Sequence, residues 1–406
     1  MPDAKASSLL RILVAAGGIY TAQSLVGGLT FMGIPAVLRA DNVALDKISL
    51  VSLVMLVWAL KFLWAPTLER LRILPNGRRR SRGIMVCGEV ITAALLVALG
   101  FTGAASFTMI IALLLLLAVA SATIDIACDA FIIEQLAQDS RGPGNVAQVG
   151  GGYLGLIFGS GLFVTTVALH GWLAACILLA CLVILMSLPM LLTREAPVAP
   201  IAMASMPSLV DAFQRVDIRT GLVLAVVFEM SGRLTQSLTG PFLVDAGVPL
   251  SLLGMLNGLG GVMAGICGAA LGGWIVHRRG PVKAVFSIAA AHVIALCSVA
   301  LIVALGIRHL PLLVTLFVIE TAVMAAGFVA IYARLMGLVS PSQPGVDFTL
   351  FQSASAIAAA LFGTGGGLLA HQAGYAASFV MSAALSMLTP PLLIILERRL
   401  TKGTAA

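Results

Sequence analysis

Long apolar segments recur along the whole chain and limit its fold more than any other sequence feature. A run of about 20 apolar residues has the length of a helix that crosses a bilayer. Of the 406 residues, 60% are hydrophobic and only 10% are charged, whereas a soluble globular chain is about 45–50% apolar and about 25% charged. Because backbone polar groups in lipid must be hydrogen-bonded within the segment, each run is expected to be helical. The sequence therefore predicts an all-α integral membrane protein.

The apolar runs predict twelve transmembrane helices, at residues 10–38, 48–67, 83–103, 107–138, 147–169, 172–192, 217–240, 250–276, 284–306, 311–337, 347–370 and 375–396. The first run is not followed by a clear cleavage site, so it is predicted as a helix and not as a signal peptide. The longest polar break divides the runs six and six. We expect an N-terminal six-helix bundle at 1–192, a cytoplasmic linker at 193–216 and a C-terminal six-helix bundle at 217–406.

The two halves repeat each other at nearly constant spacing. Three pairs of matching landmarks are Arg78 with Arg278, Pro143 with Pro344, and Phe158 with Phe362, which are 200, 201 and 204 positions apart. A duplicated six-helix unit, and hence two pseudo-symmetric bundles, is the simplest explanation.

Basic residues are concentrated in loops on one side of the predicted helices. The other side has only Arg39, Lys47 and Arg308. The positive-inside rule places the basic side, and with it both termini, in the cytoplasm. The formal net charge of +7 thus reflects membrane orientation, and no nucleic-acid partner is expected. The matching basic loops are predicted as gating loops, with Arg78, Arg79, Arg80, Arg278 and Arg279 as their charged residues. Glu89 is expected to pair with the arginines of the first loop.

Lys61 interrupts the second apolar run and needs a partner, because an unpaired charge in hydrocarbon is costly. The fourth predicted helix carries Asp125, Asp129 and Glu134. Asp125 and Asp129 are four residues apart and share a helix face. At about 1.5 Å per residue, Lys61 lies between Asp129 and Glu134 in depth, so Asp129 is the preferred partner. Either the pair is structural, or its partners exchange or hold a proton during transport.

The seventh predicted helix carries a second pair of charges. Glu229 and Arg233 are four residues apart and can neutralise each other. Arg233 also has the planar fork that binds carboxylates at two points, so it is a candidate substrate anchor, with Phe228 and Phe242 nearby in sequence. Glu320 has no evident local partner and is a candidate proton or substrate site.

Polar residues in the first predicted helix add to the candidate substrate site. They are Tyr20, Thr21, Gln23 and Ser24, which either line a cavity or form helix–helix hydrogen bonds. No phosphate-binding loop, metal signature or nucleophile motif is found, and the six cysteines all lie in apolar stretches. No catalytic residue, metal or cofactor is expected, and an enzyme is disfavoured.

Four segments resemble the AmpG-type branch of the major facilitator superfamily: KFLWAP at 61–66, GRRR at 77–80, SATIDIACDAF at 121–131 and SRGPGNVAQVGGGYLG at 140–155. That branch includes muropeptide permeases, acetyl-CoA transporters and single-chain permeases for ferripyochelin and rhizobactin. The resemblance implies a twelve-helix core, alternating access and proton-driven import. Under this reading Lys61, Asp125 and Asp129 are the proton-coupling candidates.

Two departures from the muropeptide permeases favour the compact siderophore permeases. The motif with Asp125 and Asp129 is typically followed in muropeptide permeases by Lys-Thr-Asp, whereas this chain has Ile132-Ile133-Glu134. Those permeases are also longer. We therefore expect a monomeric inner-membrane importer of a ferric siderophore, with protons and the lipid bilayer as its other partners. A permease for muropeptides or another amphipathic metabolite, or an exporter, is the alternative.

Overall fold

A computed structural model describes residues 8–43, 47–48, 50–74, 77–103, 106–196, 206–249 and 259–403. The ordered elements in these ranges are helices, together with one isolated β-bridge between Ile73 and Arg79 in the loop between two of them. The helices are α1 Leu9–Gly28, α2 Ile34–Ala40, α3 Met55–Leu60, α4 Ala65–Arg72, α5 Ser81–Thr102, α6 Phe107–Gln135, α7 Arg141–Ile157, α8 Phe163–His170, α9 Trp172–Leu191, α10 Leu209–Gln214, α11 Val216–Asp245, α12 Gly261–Arg279, α13 Pro281–Ala304, α14 Leu310–Leu335 and α15 Pro344–Gly403.

Eight helices of the described residues are long and apolar enough to cross a membrane, or nine when one bent pair is taken as a single span. The predicted count of twelve spans and the cytoplasmic termini therefore stay expectations. α11 is not among the eight, because Glu229, Arg233 and several hydroxyl side chains lower its hydropathy. α15 covers two predicted spans, and its backbone breaks at Gly374 (φ +82°), a conformation that favours glycine. Part of the predicted span 250–276, and part of the linker 193–216, lie outside the described residues.

Backbone contacts divide the chain into two compact units. The first contains Met1–Leu209 and Ser340–Thr349, and the second contains Val210–Val339 and Leu350–Ala406. The first unit has an apolar core of fully buried residues such as Leu25, Leu114 and Val183. The second unit has its own core, which includes Leu234 and Phe379.

The second predicted span is not a straight helix. The segments Leu50–Leu63 and Ala65–Arg72 are bent by 57°. Lys61–Leu63 forms a 3₁₀ turn at the bend, and Pro66 occupies the first turn of α4. Because proline has no N–H and its ring conflicts with a preceding helical carbonyl, the helix cannot continue through this point. The bend places Lys61 at a helix terminus.

Three glycines of the first unit let two helices touch through their backbones. Gly151, Gly155 and Gly159 recur every four residues and face α1. A Cβ at Gly151 would lie 2.8 Å from the carbonyl oxygen of Gly17, and a Cβ at Gly155 or Gly159 would overlap the backbone of α1. Small residues are the usual means of such close packing in membranes.

Candidate functional site

Lys61 forms an ion pair with Asp125 inside the first unit. The Lys61 side chain is only 4% exposed and that of Asp125 is 15% exposed. The amide of Gln23 takes the orientation in which its nitrogen donates to Asp125 Oδ1 at 2.9 Å. The sequence preferred Asp129 as the partner, and the ion pair described for Lys61 is with Asp125, one helical turn away on α6. The depth estimate assumed a straight helix, whereas Lys61 lies at a 3₁₀ turn and bend.

Asp129 is fully buried and is held by neutral donors. The Tyr20 hydroxyl donates to Asp129 Oδ1 at 2.6 Å, and Gln148 Nε2 donates to the same oxygen at 3.1 Å. Buried carboxylates need such donors, and hydrogen bonds to a charged group are the stronger ones. Two carboxylates, Asp125 and Asp129, thus lie one turn apart on α6 with different environments. Gln148 was missed, because its position on α7 gives no sequence signal.

The polar side chains of the first predicted helix differ in their partners: some bond to α6 and one bonds within its own helix. Tyr20 and Gln23 reach across to the two carboxylates of α6. Thr21 Oγ1 instead donates to the carbonyl oxygen of Gly17 in its own helix, at 2.7 Å. Tyr20 and Gln23 therefore belong to the cluster around Asp125 and Asp129, and the Thr21 hydroxyl is bonded within α1.

A second buried ion cluster centres on Arg72 at the basic end of the same unit. Arg72 is fully buried and contacts Glu69 and Glu134. Its two terminal nitrogens donate to the two oxygens of Glu134 at 2.5 and 2.8 Å, a two-point geometry typical of arginine. Arg79 Nε lies 3.1 Å from Glu134. Partial burial lowers the pKa of the Arg79 guanidinium, and the Glu134 carboxylate opposes that shift.

The segment Ser340–Thr349 contributes to the first unit through the same cluster. The Glu69 carboxylate lies against Gly345, in the first turn of α15. A Cβ at position 345 would overlap Glu69 Oε2. Carboxylates are favoured at helix N-termini by the unpaired N–H groups there. Neither Glu69 nor Gly345 was identified as a site residue from the sequence.

The predicted gating-loop arginines have different environments. Arg79 is partly buried by Glu134, and its Nη1 donates to the carbonyl oxygen of Ala196 at 2.9 Å. Arg78 and Arg80 are exposed, and so are Arg278 and Arg279 in the second unit. Within the described part of the chain, no arginine of this loop pairs with Glu89, whose side chain is buried in α5. Both Glu89 carboxyl oxygens lack a hydrogen-bond partner among the described residues, so the expected pairing was wrong.

Glu229 and Arg233 form the predicted pair in the second unit. Arg233 Nε donates to Glu229 Oε2 at 2.8 Å, and Nη1 donates to Gln236 at 3.0 Å. The Glu229 side chain is 1% exposed, whereas that of Arg233 is 25% exposed. The Arg233 guanidinium also lies over the ring of Phe328, 4.9 Å from its centroid, in a cation–π contact.

Phe228 and Phe242, the aromatic residues near Arg233 in sequence, have described contacts with other residues. Phe228 is buried and packs at Gly327. Phe242 packs in a cluster with Phe317 and Phe379, at centroid separations of 5.9 and 5.3 Å. Nearness in sequence does not place these rings beside Arg233, because helical side chains 90–100° apart per residue face different neighbours.

Glu320 has a partner that the sequence did not indicate. His292 Nε2 on α13 lies 3.7 Å from Glu320 Oε1, and both side chains are 5% exposed. Gly232 on α11 packs against Met324 and His292, since an added Cβ would lie 2.7 Å from Met324 Sδ and 3.0 Å from His292 Cε1. The pair brings a buried carboxyl group and a buried imidazole close together. In the described residues, no group of three or more His, Cys, Asp or Glu is arranged to hold a metal ion.

Helices of membrane-spanning length that carry buried ion pairs indicate a polytopic membrane protein in which the buried charges are candidate functional sites. The profile of the Major Facilitator Superfamily matches residues 16–319. The chain belongs to that superfamily, and it is a multi-pass protein of the bacterial inner membrane, a transporter and not an enzyme.

Relatives of this chain include AmpG-like transporters. It is 27% identical to the anhydromuropeptide permease of Escherichia coli strain K12 over 97% of this chain and 80% of the permease. It is 22% identical to the putative transporter AmpG 4 of Rickettsia conorii strain Malish 7, over 93% of this chain and 94% of that protein. These matches place the chain in an AmpG-like branch.

Solved structures share the fold at low sequence identity. The fucose:proton symporter FucP of Escherichia coli superposes with a TM-score of 0.71 at 14% identity, over 96% of this chain and 99% of that one. A bacterial homologue of the iron transporter ferroportin, in the outward-facing state, gives 0.70 at 14% identity over 96% and 99%. At this identity the comparison establishes the fold alone.

Proposed function

We propose that this protein is a proton-coupled importer of a muropeptide-like solute, an aminosugar joined to a short peptide. The observation that carries the proposal is the 27% identity to the anhydromuropeptide permease over 97% of this chain. The siderophore prediction rested partly on chain length. The permease matches nearly the whole of this chain, and only a fifth of the permease lies outside the match. The difference in length is therefore not a reason to reject a muropeptide-like substrate.

The second departure also loses its weight. The Lys-Thr-Asp stretch of muropeptide permeases is replaced here by a sequence that ends in Glu134. In this chain Glu134 obtains its cations from outside α6, from Arg72 and Arg79. A change of local charge is therefore balanced by the ion cluster and does not by itself indicate another substrate.

The second unit supports recognition of the peptide part of such a solute. Arg233 is charged, one-quarter exposed and oriented by Glu229. A guanidinium binds carboxylates in two-point fashion, and a muropeptide carries carboxylates on its peptide. We assign Arg233 as the substrate anchor, with Glu229 as the residue that positions it. Tyr20, Gln23 and Glu320 are assigned to the substrate path.

The first unit supports proton coupling. Asp125 and Asp129 lie one turn apart with one ammonium, that of Lys61, against Asp125. Two carboxylates close to a single cation favour uptake of one proton, because like charges oppose each other in a medium of low dielectric constant. A proton on Asp129 and exchange of the Lys61 partner then provide a coupling step. The two-bundle organisation, alternating access and a monomeric state are part of the same proposal.

Uptake into proteoliposomes containing only this protein tests the substrate. A radiolabelled anhydromuropeptide and a ferric pyochelin-like chelate are supplied separately, under an inward proton gradient and again with a protonophore. Gradient-dependent accumulation of the intact muropeptide supports the proposal. Accumulation of the chelate alone would return the siderophore importer, and gradient-driven efflux from preloaded vesicles would make the protein an exporter.

Substitution of Arg233 tests its role. Arg233→Ala should reduce muropeptide uptake by about 10- to 100-fold, as expected for loss of a charge-assisted hydrogen bond. Arg308→Ala removes an exposed arginine from the same unit and is the matched control. Equal uptake by both variants and the wild type would exclude Arg233 from the substrate path.

A further inference from the structure

The seam between α5 and α9 carries a basic cleft and an apolar groove that the transport mechanism does not use. The basic cleft has a volume of about 780 Å³ and is lined by Arg78, Arg79, Arg80, Arg82, Gly83, Ile84, Cys87, Arg194 and Glu195. The apolar groove has a volume of about 500 Å³ and is lined by Ala93, Ala94, Val97, Ile177, Ala180, Cys181, Ile184, Leu185 and Leu188. All these residues belong to the first unit.

The basic cleft has a large excess of positive charge. Five arginines and one glutamate line it, so its formal charge is five minus one, or four positive. Glu195 is already engaged, because its Oε1 accepts a hydrogen bond from the backbone N–H of Arg82 at 2.6 Å. The cleft also lies at the N-terminus of α5, where the helix dipole favours an anion. Charge complementarity therefore points to an anionic occupant.

A smaller basic cleft in the second unit shows the contrast. It has a volume of about 520 Å³ and contains Arg215, Arg334, Arg399 and Asp217 among its lining residues. Two of its three arginines are paired with acids, Arg215 with Asp217 at 2.8 Å and Arg334 with Glu397 at 2.7 Å. The first cleft has five lining arginines and one lining acid, and Arg79 among them lies 3.1 Å from Glu134.

The apolar groove lies further along the same face of α5 as the basic cleft. Gly83, Cys87, Ala94 and Val97 of α5 follow spacings of four, seven and three residues, which keep them on one face. From Arg82 to Ala94 is about 18 Å along the helix. Half of a bilayer's hydrocarbon core is about 15 Å. The two cavities thus match the headgroup and acyl-chain depths of a single leaflet.

We propose that this seam is a binding site for one anionic phospholipid, with its phosphate in the basic cleft and an acyl chain in the apolar groove. The positive-inside rule predicts this end of α5 in the cytoplasmic leaflet, where anionic lipids interact with basic pockets between helices. Small side chains at Ala93, Ala94 and Ala180 form the hollow of the groove. A soluble phosphate would use the cleft but not the groove.

Native mass spectrometry of the purified chain tests the proposal, with phosphatidylglycerol and phosphatidylcholine of identical acyl chains supplied together. The wild type should retain one phosphatidylglycerol in preference to phosphatidylcholine. The double variant Arg80→Gln, Arg82→Gln should bind phosphatidylglycerol about 30-fold more weakly, which corresponds to about 2 kcal/mol. The control Arg278→Gln, Arg279→Gln removes two exposed arginines from the second unit and should retain the lipid.

A second variant separates a lipid from a soluble anion. Ala94→Trp fills the groove at an exposed position and leaves the arginines in place. It should weaken phosphatidylglycerol retention without changing binding of sn-glycerol 3-phosphate. Equal retention of both lipids by the wild type, equal loss in the two double variants, or displacement of phosphatidylglycerol by millimolar inorganic phosphate would each overturn the proposal.

Discussion

The Lys61–Asp125 pair allows a test that separates a structural ion pair from a coupling element. The perturbation is a double-mutant cycle with Lys61→Met, Asp125→Asn and their combination. Removing one partner of a buried pair typically costs about 3–5 kcal/mol, because the other charge stays buried. Replacing both removes the charge imbalance and costs less. A cycle isolates that difference as a coupling free energy.

The magnitude follows from the environment of each partner. Lys61 is 4% exposed, so the pair belongs to the buried class. Asp125 keeps its hydrogen bond from Gln23 when Lys61 is replaced. We therefore expect Lys61→Met to lower the free energy of unfolding by about 3 kcal/mol, the lower end of the range. The coupling free energy in the cycle should be at least about 2 kcal/mol.

The assay is equilibrium unfolding in mixed micelles, combined with uptake under a proton gradient. The control is Asp217→Asn, which breaks the more exposed pair with Arg215 and should cost about 0–1 kcal/mol. The double variant should recover stability without recovering gradient-driven accumulation. Additive losses would refute the ion pair itself. Recovery of both stability and driven uptake would refute the coupling role and leave a structural pair.

Three further predictions use the same unfolding assay. Tyr20→Phe removes the 2.6 Å donor to Asp129 and should cost about 1.5–3 kcal/mol; an unchanged stability would contradict that bond. Gly155→Ala places a methyl group on the α1 backbone and should cost about 3 kcal/mol, whereas Gly150→Ala, which meets open space, should be neutral; equal effects would refute the close packing. Arg72→Met strands two buried carboxylates and should cost about 3–5 kcal/mol, and Arg72→Lys should restore only part of it; full rescue by lysine would argue against two-point binding.

The sequence predicted an integral membrane protein correctly because each membrane-spanning helix can be recognised from the hydrophobicity of its own residues. Apolar runs of helix length identify α5, α6, α9 and α13 with bounds close to those observed. Each run is decided by its own composition, so tertiary contacts need not be known. The bend before Pro66 was not predicted, because residues 48–67 were taken as one straight span, and it changes the position of Lys61.

Contacts between distant helices were the part that the sequence did not provide. Glu229 and Arg233 were paired correctly because four residues on one helix fix their separation. His292 beside Glu320, and Phe328 beside Arg233, depend on the rotation of separate helices about their axes. A single sequence contains no measure of that rotation. The same limit hid Gly345 as a neighbour of Glu69, whereas the pair of Glu69 with Arg72, three residues apart on α4, was overlooked.

The glycine contact between α1 and α7 has a practical consequence for measuring transport motions. With no side chain between the two backbones, neither helix can slide without collision, so the pair is expected to behave as one rigid body. Spin labels on their lipid-facing sides would then form an internal ruler whose length stays constant through the cycle. Distances from these two labels to labels on other helices would report rearrangement of the protein. The constant distance between the two reference labels would show how much of any change comes from the labels themselves. The two helices that meet at Gly151, Gly155 and Gly159 can therefore serve as the fixed reference for measuring conformational change in this transporter.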